Sequence, residues 1–501
     1  MTARQTSLFT LAALGISAMG ILLRLYGLGY RSLWFDEARL ANGIIHHSLG
    51  TILTYPYQAK PPFMFAVAAR WLVVVLGHSE IVLRLLPVLM GIGTILLIYC
   101  PIRKIFGPDL ALYASALVAF SPSLIYYSKE FKQYSGEAFF TVALFLAGLT
   151  VLRHRERPGA YFLYTILGTL VIGFSYSAVF TLLGVNIALL TSIFLCGGMF
   201  PLRRLGAANV CVITAWLLMF TLYASKNATP VLAEYWAKDF ADTQSLGGFA
   251  QWNWEKLKDM SQFFVPVKAG GIFLATSLVF GLAVWKPQEY CYLNVCFLAT
   301  LFLILAASAM KAYPAGNRLM LFIGPLLYLV MAKGVATPTR LIKKSKRRAL
   351  VYFVAALVPI LMLSYAVENN ILRPQEREEM RPVVRYLQKN MRQGDRVYVY
   401  YGAAPAFTYY YSGTDTNVTT CPPPRNDPEI YIDDLDIFLR DQSADRFWIV
   451  FSHCRGKVNE RSLILKNVKK KYTLVDKYAR KGAYLYYFKI GGGNENSLKR
   501  E

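Results

Sequence analysis

Charged residues are scarce in this sequence, and acidic residues are the scarcer kind. Asp, Glu, Lys and Arg make up 17% of the 501 residues, with 30 acidic against 54 basic side chains. Hydrophobic residues make up 55%, and the mean hydropathy is +0.36. This composition excludes an ordinary soluble protein of such length. Because many apolar runs approach the roughly 20 residues that a spanning helix needs, the sequence predicts a polytopic α-helical membrane protein.

Cysteine is rare as well, with seven residues in the chain. None are spaced as C-x-x-C, so no metal site is indicated, although a bound divalent cation stays an open alternative. The adjacent His46 and His47 have no further ligands near them in the sequence, which is typical of a solvated turn rather than a metal site. A Ser-His-Asp arrangement and a phosphate-cradling glycine loop are also missing. No cofactor is therefore predicted.

The positive charge is spread over short loops and the C-terminal region. A formal net charge of +24 suggests nucleic acid, but the loop positions favour membrane lipids as the partner and no nucleic acid. The positive-inside rule places the basic clusters, such as 340–348, in the cytoplasm. On that orientation the outside segments are 30–62, 128–134, 225–268, 311–318 and everything after 368.

The apolar runs predict about eleven true crossings. They lie at 8–28, 63–77, 81–100, 110–127, 136–152, 160–178, 179–197, 206–224, 270–285, 290–309, 319–334 and 350–367. The run 63–77 is short and carries Arg70, and two full crossings before Arg103 would leave this residue outside. We therefore expect a re-entrant or interfacial helix at 63–77. The first run is too long for a signal peptide and is interpreted as an uncleaved span.

The composition changes after residue 367. We predict a transmembrane catalytic domain at 1–367, an extracytoplasmic α/β domain at 368–490 and a disordered tail at 491–501. Strand patterns alternate with helical patterns in the second domain, with strands at 396–401, 447–451, 472–477 and 483–490 and helices at 381–391, 405–411 and 433–441.

Cys421 and Cys454 are the only cysteines of the predicted outer domain. Because disulfides persist on the oxidising outer side of a membrane, we predict a bridge between them. Two free thiols are the alternative, since the sequence does not show that the two side chains approach each other.

Ionisable and tyrosine side chains cluster in the predicted outer loops. A carboxylate there can act as a general base, and cations can stabilise negative charge on a phosphate leaving group. The set favours a reaction between a phosphate-bearing ligand and a hydroxyl. The alternatives are structural: Asp36 as a helix N-cap, Lys60 as a snorkelling lysine and Glu130 as a surface ion pair. The set consists of Asp36, Glu37, Arg39, Lys60, Lys129, Glu130, Lys132, Tyr134, Lys311, Tyr313 and Arg318.

Five motifs follow one another in the first two thirds of the chain. They are LWFDEAR at 33–39, AKPP at 59–62, GHSEIVLRL at 77–85, YSKEFKQY at 127–134 and YPAGNR at 313–318. In this order they resemble the GT-C glycosyltransferases that use polyprenyl-phosphate sugars, of the glycosyltransferase family 39 type. These include the protein O-mannosyltransferases and the lipid A aminoarabinose transferases.

The resemblance implies a GT-C fold of about 11–13 helices in a bacterial inner membrane, with the active site on the periplasmic side. It implies transfer of a sugar from a polyprenyl-phosphate carrier, such as undecaprenyl phosphate, to a lipid, glycan or protein acceptor, with inversion. Ala59 replaces the Glu that lipid A transferases have before the lysine, so the acceptor class stays open. The implied catalytic residues are Asp36 as the base, Glu37 beside it as a support of the loop geometry, and Glu130 as the second acidic residue. The implied ligands are Arg39, Lys60 and Arg318 for the donor phosphate, and Tyr134 and Tyr313 for the substrate.

Two other function classes are compatible with a membrane protein of this kind. A transporter or flippase of lipid-linked sugars predicts charges in the middle of helices and an internal repeat. The charges here cluster in loops and no repeat is visible, which favours the enzyme. A catalytically inactive scaffold with a binding domain is the third hypothesis, and turnover of a polyprenyl-phosphate sugar separates all three.

Overall fold

The chain forms two compact units. The computed structural model describes residues 3–54, 61–196, 201–223, 225, 230–342, 345–413, 417–421, 430–440, 446–454 and 460–489. One unit consists of residues 1–28 and 49–374, and the other of residues 29–48 and 375–501. The segment that carries Asp36 therefore groups with the C-terminal residues, although it lies near the start of the chain.

Most of the described chain is helical. Two 3-10 helices, Ala237–Asp239 and Asn317–Ile323, and a π-helix, Glu368–Leu372, accompany the α-helices. The α-helices are α1 (Ala3–Leu25), α2 (Phe35–His46), α3 (Leu49–Thr54), α4 (Phe63–Leu76), α5 (Glu80–Phe106), α6 (Pro108–Phe120), α7 (Pro122–Ser128), α8 (Tyr134–Arg153), α9 (Pro158–Phe174), α10 (Ala178–Cys196), α11 (Leu202–Leu222), α12 (Pro230–Tyr235), α13 (Leu246–Phe264), α14 (Gly270–Ala283), α15 (Gln288–Ala309), α16 (Gly324–Leu341), α17 (Ser345–Val367), α18 (Met380–Asn390), α19 (Ala404–Tyr410), α20 (Ile430–Arg440) and α21 (Glu460–Lys471).

Apolar helices of membrane-spanning length confirm the predicted class. Among the described residues, seven helices are long and apolar enough to span, and α6 and α7 form one further apolar pair that is bent by 54°. Four apolar helices are shorter, and α4, within the run 63–77, is one of them. The 14 residues of α4 extend only about 21 Å, less than the roughly 30 Å of a hydrocarbon core. That this helix does not cross the membrane stays a prediction.

Small residues allow the helices of the first unit to pack closely. A Cβ atom at Gly184 of α10 would lie 2.2 Å from the hydroxyl of Thr300 on α15. At Gly148 of α8 it would lie 2.3 Å from the hydroxyl of Tyr292, which donates a hydrogen bond to the carbonyl of Phe145 at 3.0 Å. Because lipid tails are as apolar as leucine, close packing and interhelical hydrogen bonds hold such helices together.

The second unit contains a five-stranded sheet, which confirms the predicted α/β domain. The strands are β1 (Arg396–Val399), β2 (Val418–Thr420), β3 (Arg446–Ser452), β4 (Thr473–Arg480) and β5 (Ala483–Lys489), in the order β2-β1-β3-β5-β4. β1 pairs in parallel with β2 and β3, whereas β5 pairs antiparallel with β3 and β4. The almost continuous apolar sequence of β3 is explained by its central, buried position.

The predicted disulfide between Cys421 and Cys454 is wrong, because both cysteines are free thiols. Cys421 follows β2, Cys454 follows β3, and β1 lies between these two strands. The two spacings between neighbouring strands, of about 4.8 Å each, add up to more than the Cα separation of about 7 Å that a disulfide tolerates. Burial raises the pKa of the Cys421 thiol to about 11 and that of Cys454 to about 12.

Candidate active site

Asp36 and Glu37 lie in the first turn of α2, in the second unit. The N-cap position belongs to Trp34, so the alternative interpretation of Asp36 as the cap is wrong. Carboxylates in a first helical turn interact favourably with the positive end of the helix dipole, which explains why a helix forms here. Glu37 is buried, whereas Asp36 and Arg39 are half-buried. The Asp36 side chain is therefore partly accessible at the start of the helix.

Two glutamates of the C-terminal region hold the backbone at the start of α2. The N–H group of Phe35, the first helical residue, donates to Oε2 of Glu378 at 2.9 Å. The N–H and hydroxyl groups of Ser32 donate to Oε2 of Glu379 at 3.1 and 2.7 Å. Trp34 provides no side-chain cap, and Glu378 satisfies one of the first four N–H groups that a helix leaves without an intrahelical partner.

Aromatic contacts complete the attachment of this segment. His453 follows β3 directly, and its Nδ1 lies 2.8 Å from Oε1 of Glu378. The imidazole stacks on the Phe35 ring, with the ring centroids 4.3 Å apart and the planes inclined by 12°. The N–H group of Leu33 donates to the hydroxyl of Tyr410 at 2.7 Å. The start of α2 is thus fixed by contacts from three separate parts of the α/β domain.

The second acidic loop, residues 127–134, belongs to the first unit. Glu130 is only 1% exposed, and the neighbouring Lys129 donates from Nζ to the carbonyl of Tyr26 at 3.1 Å. Removing a carboxylate from water costs several kcal/mol, so a buried glutamate carries a desolvation cost that a glutamate in an exposed surface ion pair does not. The alternative interpretation of Glu130 as a surface ion pair is therefore wrong, while its catalytic role stays a prediction.

The late arginine loop, residues 311–318, brings two predicted site residues together. The Arg318 guanidinium lies 6.0 Å from the ring centroid of Tyr134 and 4.8 Å from that of Trp236. Attraction between the cation and the two ring faces orients the planar guanidinium. Tyr313 donates from its hydroxyl to the carbonyl of Leu319 at 3.0 Å. Trp236, in the predicted outer loop 225–268, was not among the predicted site residues.

A buried ion pair fixes the late arginine loop. Nζ of Lys256, on α13, lies 2.5 Å from Oδ1 of Asp239, and both side chains are 11% exposed. The carbonyl of Asp239 accepts a hydrogen bond from the N–H of Ala315 at 2.8 Å. At Gly316 a Cβ atom would lie 2.9 Å from the Trp236 ring, so this close approach requires glycine. The long outer loop thus positions the backbone immediately before Arg318.

Lys60 lies outside the described residues, but its neighbour Pro61 is described and is held at two points. The carbonyl of Pro61 accepts hydrogen bonds from the hydroxyls of Tyr176 and Tyr223 at 3.0 and 2.9 Å. The chain is therefore anchored directly after Lys60.

Glu137 is a buried acid in the first unit that the sequence analysis missed. It lies in the first turn of α8 and accepts hydrogen bonds from the side chain of Ser177 and the backbone of Tyr176. The pKa of Tyr313 is raised, mainly by burial and further by the charges of Glu137 and Tyr134. An ionisable side chain inside an apolar run is a functional signal in itself, and this signal was present in the sequence.

No ligand set for a metal ion is formed in the described part of the chain. There, no group of three or more His, Cys, Asp or Glu side chains is arranged to hold a metal ion. His46 is the last residue of α2, and His47 is its C-cap. The two histidines therefore lie at the end of this helix.

Part of the sequence matches a known family. Residues 59–195 match the model of the family described as dolichyl-phosphate-mannose-protein mannosyltransferase. The matched region contains Lys60, Glu130 and Glu137, whereas Asp36 and Arg318 lie outside it. No curated protein matches the chain.

Solved structures resemble the chain over almost its whole length. ArnT from Cupriavidus metallidurans, bound to undecaprenyl phosphate, aligns with a TM-score of 0.56 and 11% identity over 97% of this chain and 98% of that chain. The Archaeoglobus fulgidus oligosaccharyltransferase, in complex with Zn and sulfate, aligns with a TM-score of 0.57 and 13% identity over 95% and 72%. The mycobacterial arabinofuranosyltransferase AftD aligns with a TM-score of 0.52 and 14% identity over 98% and 42%. These similarities confirm the GT-C fold that the motifs predicted.

Proposed function

We propose that this chain is an integral membrane glycosyltransferase that moves a sugar from a polyprenyl-phosphate carrier to an extracytoplasmic acceptor. The observation that carries the proposal is the coincidence of fold and motif order. The chain shares its fold with ArnT over 97% of its length and has the family's acidic, lysine and arginine motifs in the family's order. The family match over 59–195 supports the same assignment.

The proposed reaction is a single displacement at the anomeric carbon. The acceptor hydroxyl oxygen forms the new glycosidic bond while the bond from the anomeric carbon to the carrier phosphate oxygen breaks. Polyprenyl phosphate leaves with the electron pair, and the hydroxyl proton passes to Asp36. A half-buried carboxylate is suited to this role, since it remains accessible while its helix is fixed. The sugar is transferred with inversion.

Cationic side chains stabilise the negative charge of the departing phosphate. We assign this role to Arg318, Lys60 and Arg39, because developing charge is stabilised best by donors that are held in place before the reaction. The support for Arg318 is its position over two aromatic rings. The support for Lys60 is the anchoring of the next residue by two tyrosine hydroxyls. Glu37 is proposed to support the geometry of the loop beside Asp36, Glu130 is proposed as the second acidic residue of the site, and Tyr134 and Tyr313 are proposed as substrate ligands.

The proposed location is a bacterial inner membrane, with the α/β domain on the periplasmic side. This orientation follows from the basic clusters of the sequence, which the positive-inside rule assigns to the cytoplasm. The acceptor is a lipid, glycan or protein that presents a hydroxyl group on the outer side. The carrier lipid supplies the sugar within the membrane, so the transfer step needs no nucleotide.

Turnover in a defined membrane tests the proposal. The full-length chain is reconstituted in lipid nanodiscs with undecaprenyl-phosphate-linked hexoses and pentoses and an extract of periplasmic acceptors, and the release of undecaprenyl phosphate is measured. We expect release with at least one donor and its loss in the Asp36→Asn variant. Transbilayer movement of the labelled carrier in proteoliposomes without any release would instead establish a transporter. Donor binding without release or movement would establish a scaffold.

A further inference from the structure

The N-terminus of α2 has an unusual cap. A helix leaves its first N–H groups without partners inside the helix, and a Ser, Thr, Asp or Asn side chain at the N-cap normally accepts from one of them. The N-cap here is Trp34, which makes no such bond. The acceptor comes from Glu378, whose Oε2 takes the N–H of Phe35 at 2.9 Å.

The second oxygen of Glu378 is bound as well. Its Oε1 lies 2.8 Å from Nδ1 of His453, and the Glu378 side chain is 5% exposed. This imidazole stacks on Phe35, so one ring fixes both the capping carboxylate and the side chain of the first helical residue. The bidentate use of Glu378 leaves its carboxylate little freedom to rotate.

The backbone on either side of the imidazole is constrained in turn. His453 has a φ of 53°, a left-handed conformation that non-glycine residues adopt only when the surrounding structure imposes it. A Cβ atom at Gly402 would lie 2.6 Å from the carbonyl of Ser452 and 3.2 Å from Cβ of His453. The residues that follow β3 therefore pack tightly against the turn that follows β1, and this packing fixes the direction of the His453 side chain.

We propose that Glu378 and His453 are positioning residues that set the orientation of the Asp36 carboxylate. The inference rests on the proposed role of Asp36 as the base. Asp36 follows Phe35 directly, so a rotation of the first helical turn moves its carboxylate away from the acceptor hydroxyl. Glu378 and His453 would therefore act on the reaction through the backbone of α2, without contacting either substrate.

The expected consequence is a loss of turnover without a loss of donor affinity. A misplacement of about 1 Å at a reacting group costs up to about 100-fold in rate. We expect Glu378→Ala to lower kcat by about 10- to 100-fold while KM for the undecaprenyl-phosphate sugar changes less than about 2-fold. Glu378→Gln should restore most of kcat, because its amide oxygen accepts from Phe35 and its NH2 group donates to a neutral imidazole.

A second measurement follows the helix without using activity. Hydrogen exchange of the amides at 33–40 in the full-length chain should become faster in Glu378→Ala and His453→Ala, and stay slow in Glu378→Gln. Asp476→Ala is the matched control, because it removes another carboxylate hydrogen bond of the domain, from the Tyr386 hydroxyl at 2.7 Å, on strand β4, which is separated from β3 by β5. It should alter neither the exchange at 33–40 nor kcat.

The outcomes separate the two proposals. Unchanged exchange at 33–40 in Glu378→Ala would overturn the capping role. Faster exchange with wild-type kcat would overturn the positioning role while leaving the cap intact as a structural feature. Full activity of Asp36→Asn would overturn the assignment of the base and the positioning of that base together. A fall in kcat that Glu378→Gln rescues, with faster exchange only in the alanine variants, supports the inference.

Discussion

The two proposed functional segments are fixed in different ways. The start of α2 is held by a carboxylate that accepts a backbone N–H, together with a stacked imidazole. The late arginine loop is held by the buried ion pair of Lys256 and Asp239, whose backbone also accepts from Ala315. Loss of a helix cap costs about 0.5–2 kcal/mol, whereas breaking a buried ion pair by removing one partner costs about 3–5 kcal/mol.

Because of this difference, we expect variants of the two segments to affect stability and activity to different extents. Variants at the start of α2 should change the rate more than the stability. The reason is that the cap contributes only modestly to the free energy of unfolding but lies next to the proposed base. Variants of the ion pair should change both properties, because an uncompensated charge remains buried and the loop before Arg318 loses its support.

Asp36→Asn is expected to have the largest effect on turnover. Removal of the proton acceptor should lower kcat by about 10²- to 10⁴-fold, while the amide preserves the shape of the side chain and donor binding. Release of undecaprenyl phosphate and binding of the donor are measured in the same nanodiscs. Activity within about 3-fold of the wild type would rule out a general base at this position.

Arg318→Ala should lower kcat by about 10²- to 10³-fold, because a cation that stabilises the leaving phosphate is lost. Arg318→Lys keeps the charge but not the planar stacking on Trp236, so it should restore only part of the rate. Lys60→Ala is also expected to lower kcat. Unchanged turnover of the donor in both alanine variants would show that the phosphate is bound elsewhere.

Lys256→Met should destabilise the first unit by about 3–5 kcal/mol, because Asp239 remains buried without its partner. Thermal unfolding in detergent measures this, and the double variant with Asp239→Asn should recover much of the loss. Lys258→Ala is the matched control, since Lys258 is exposed on the same helix. Equal stabilities of Lys256→Met and Lys258→Ala would contradict the importance of the buried pair.

Tyr223→Phe removes one of the two hydrogen bonds to Pro61. We expect a loss of about 1 kcal/mol in stability and a higher KM for the donor with little change in kcat, because only the support of Lys60 is weakened. Tyr176→Phe should have the same effects, and the double variant should raise KM for the donor more than either single variant does. A normal KM in the double variant would show that this anchor does not influence the donor.

The smallest expected effect concerns the rate at which Cys421 and Cys454 react with a thiol reagent. Raised thiol pKa values of about 11 and 12 leave very little thiolate at pH 7, so maleimide labelling should be slow and should accelerate as the pH rises. Labelling should be the same with and without reductant. A reductant-dependent increase would indicate a disulfide and contradict the free thiols.

Local patterns in the sequence predicted much of the second unit. The helical period at 381–391 and the apolar run at 447–451 correspond to α18 and β3. The three-residue strand β2 was missed because so short a segment has no measurable alternation. α21, with its three lysines in the last turn, was missed because most of its surface is polar and its apolar period is weak.

Pairings between distant residues were not predictable in the same way. The disulfide was predicted from the outer location of the domain and from its two cysteines, and the position of β1 between β2 and β3 keeps the residues that follow these strands apart. Glu378 and His453 are ordinary residues in the sequence, and only the packing of residues 29–48 with 375–501 brings them to the start of α2. The importance of Asp239 and Lys256 likewise depends on the ion pair that they form within the outer loop.

The sequence by itself determined the membrane class, the alternation of strands and helices in the α/β domain, and the order of the acidic, lysine and arginine motifs. Hydropathy and periodicity are local properties, and they act on each segment wherever it lies. Only the tertiary structure decided that Trp236 and Tyr134 flank Arg318 and that Glu378 caps α2. The physical reason is that a hydrogen bond or ring contact between remote residues depends on the path of the whole chain, which no local pattern specifies.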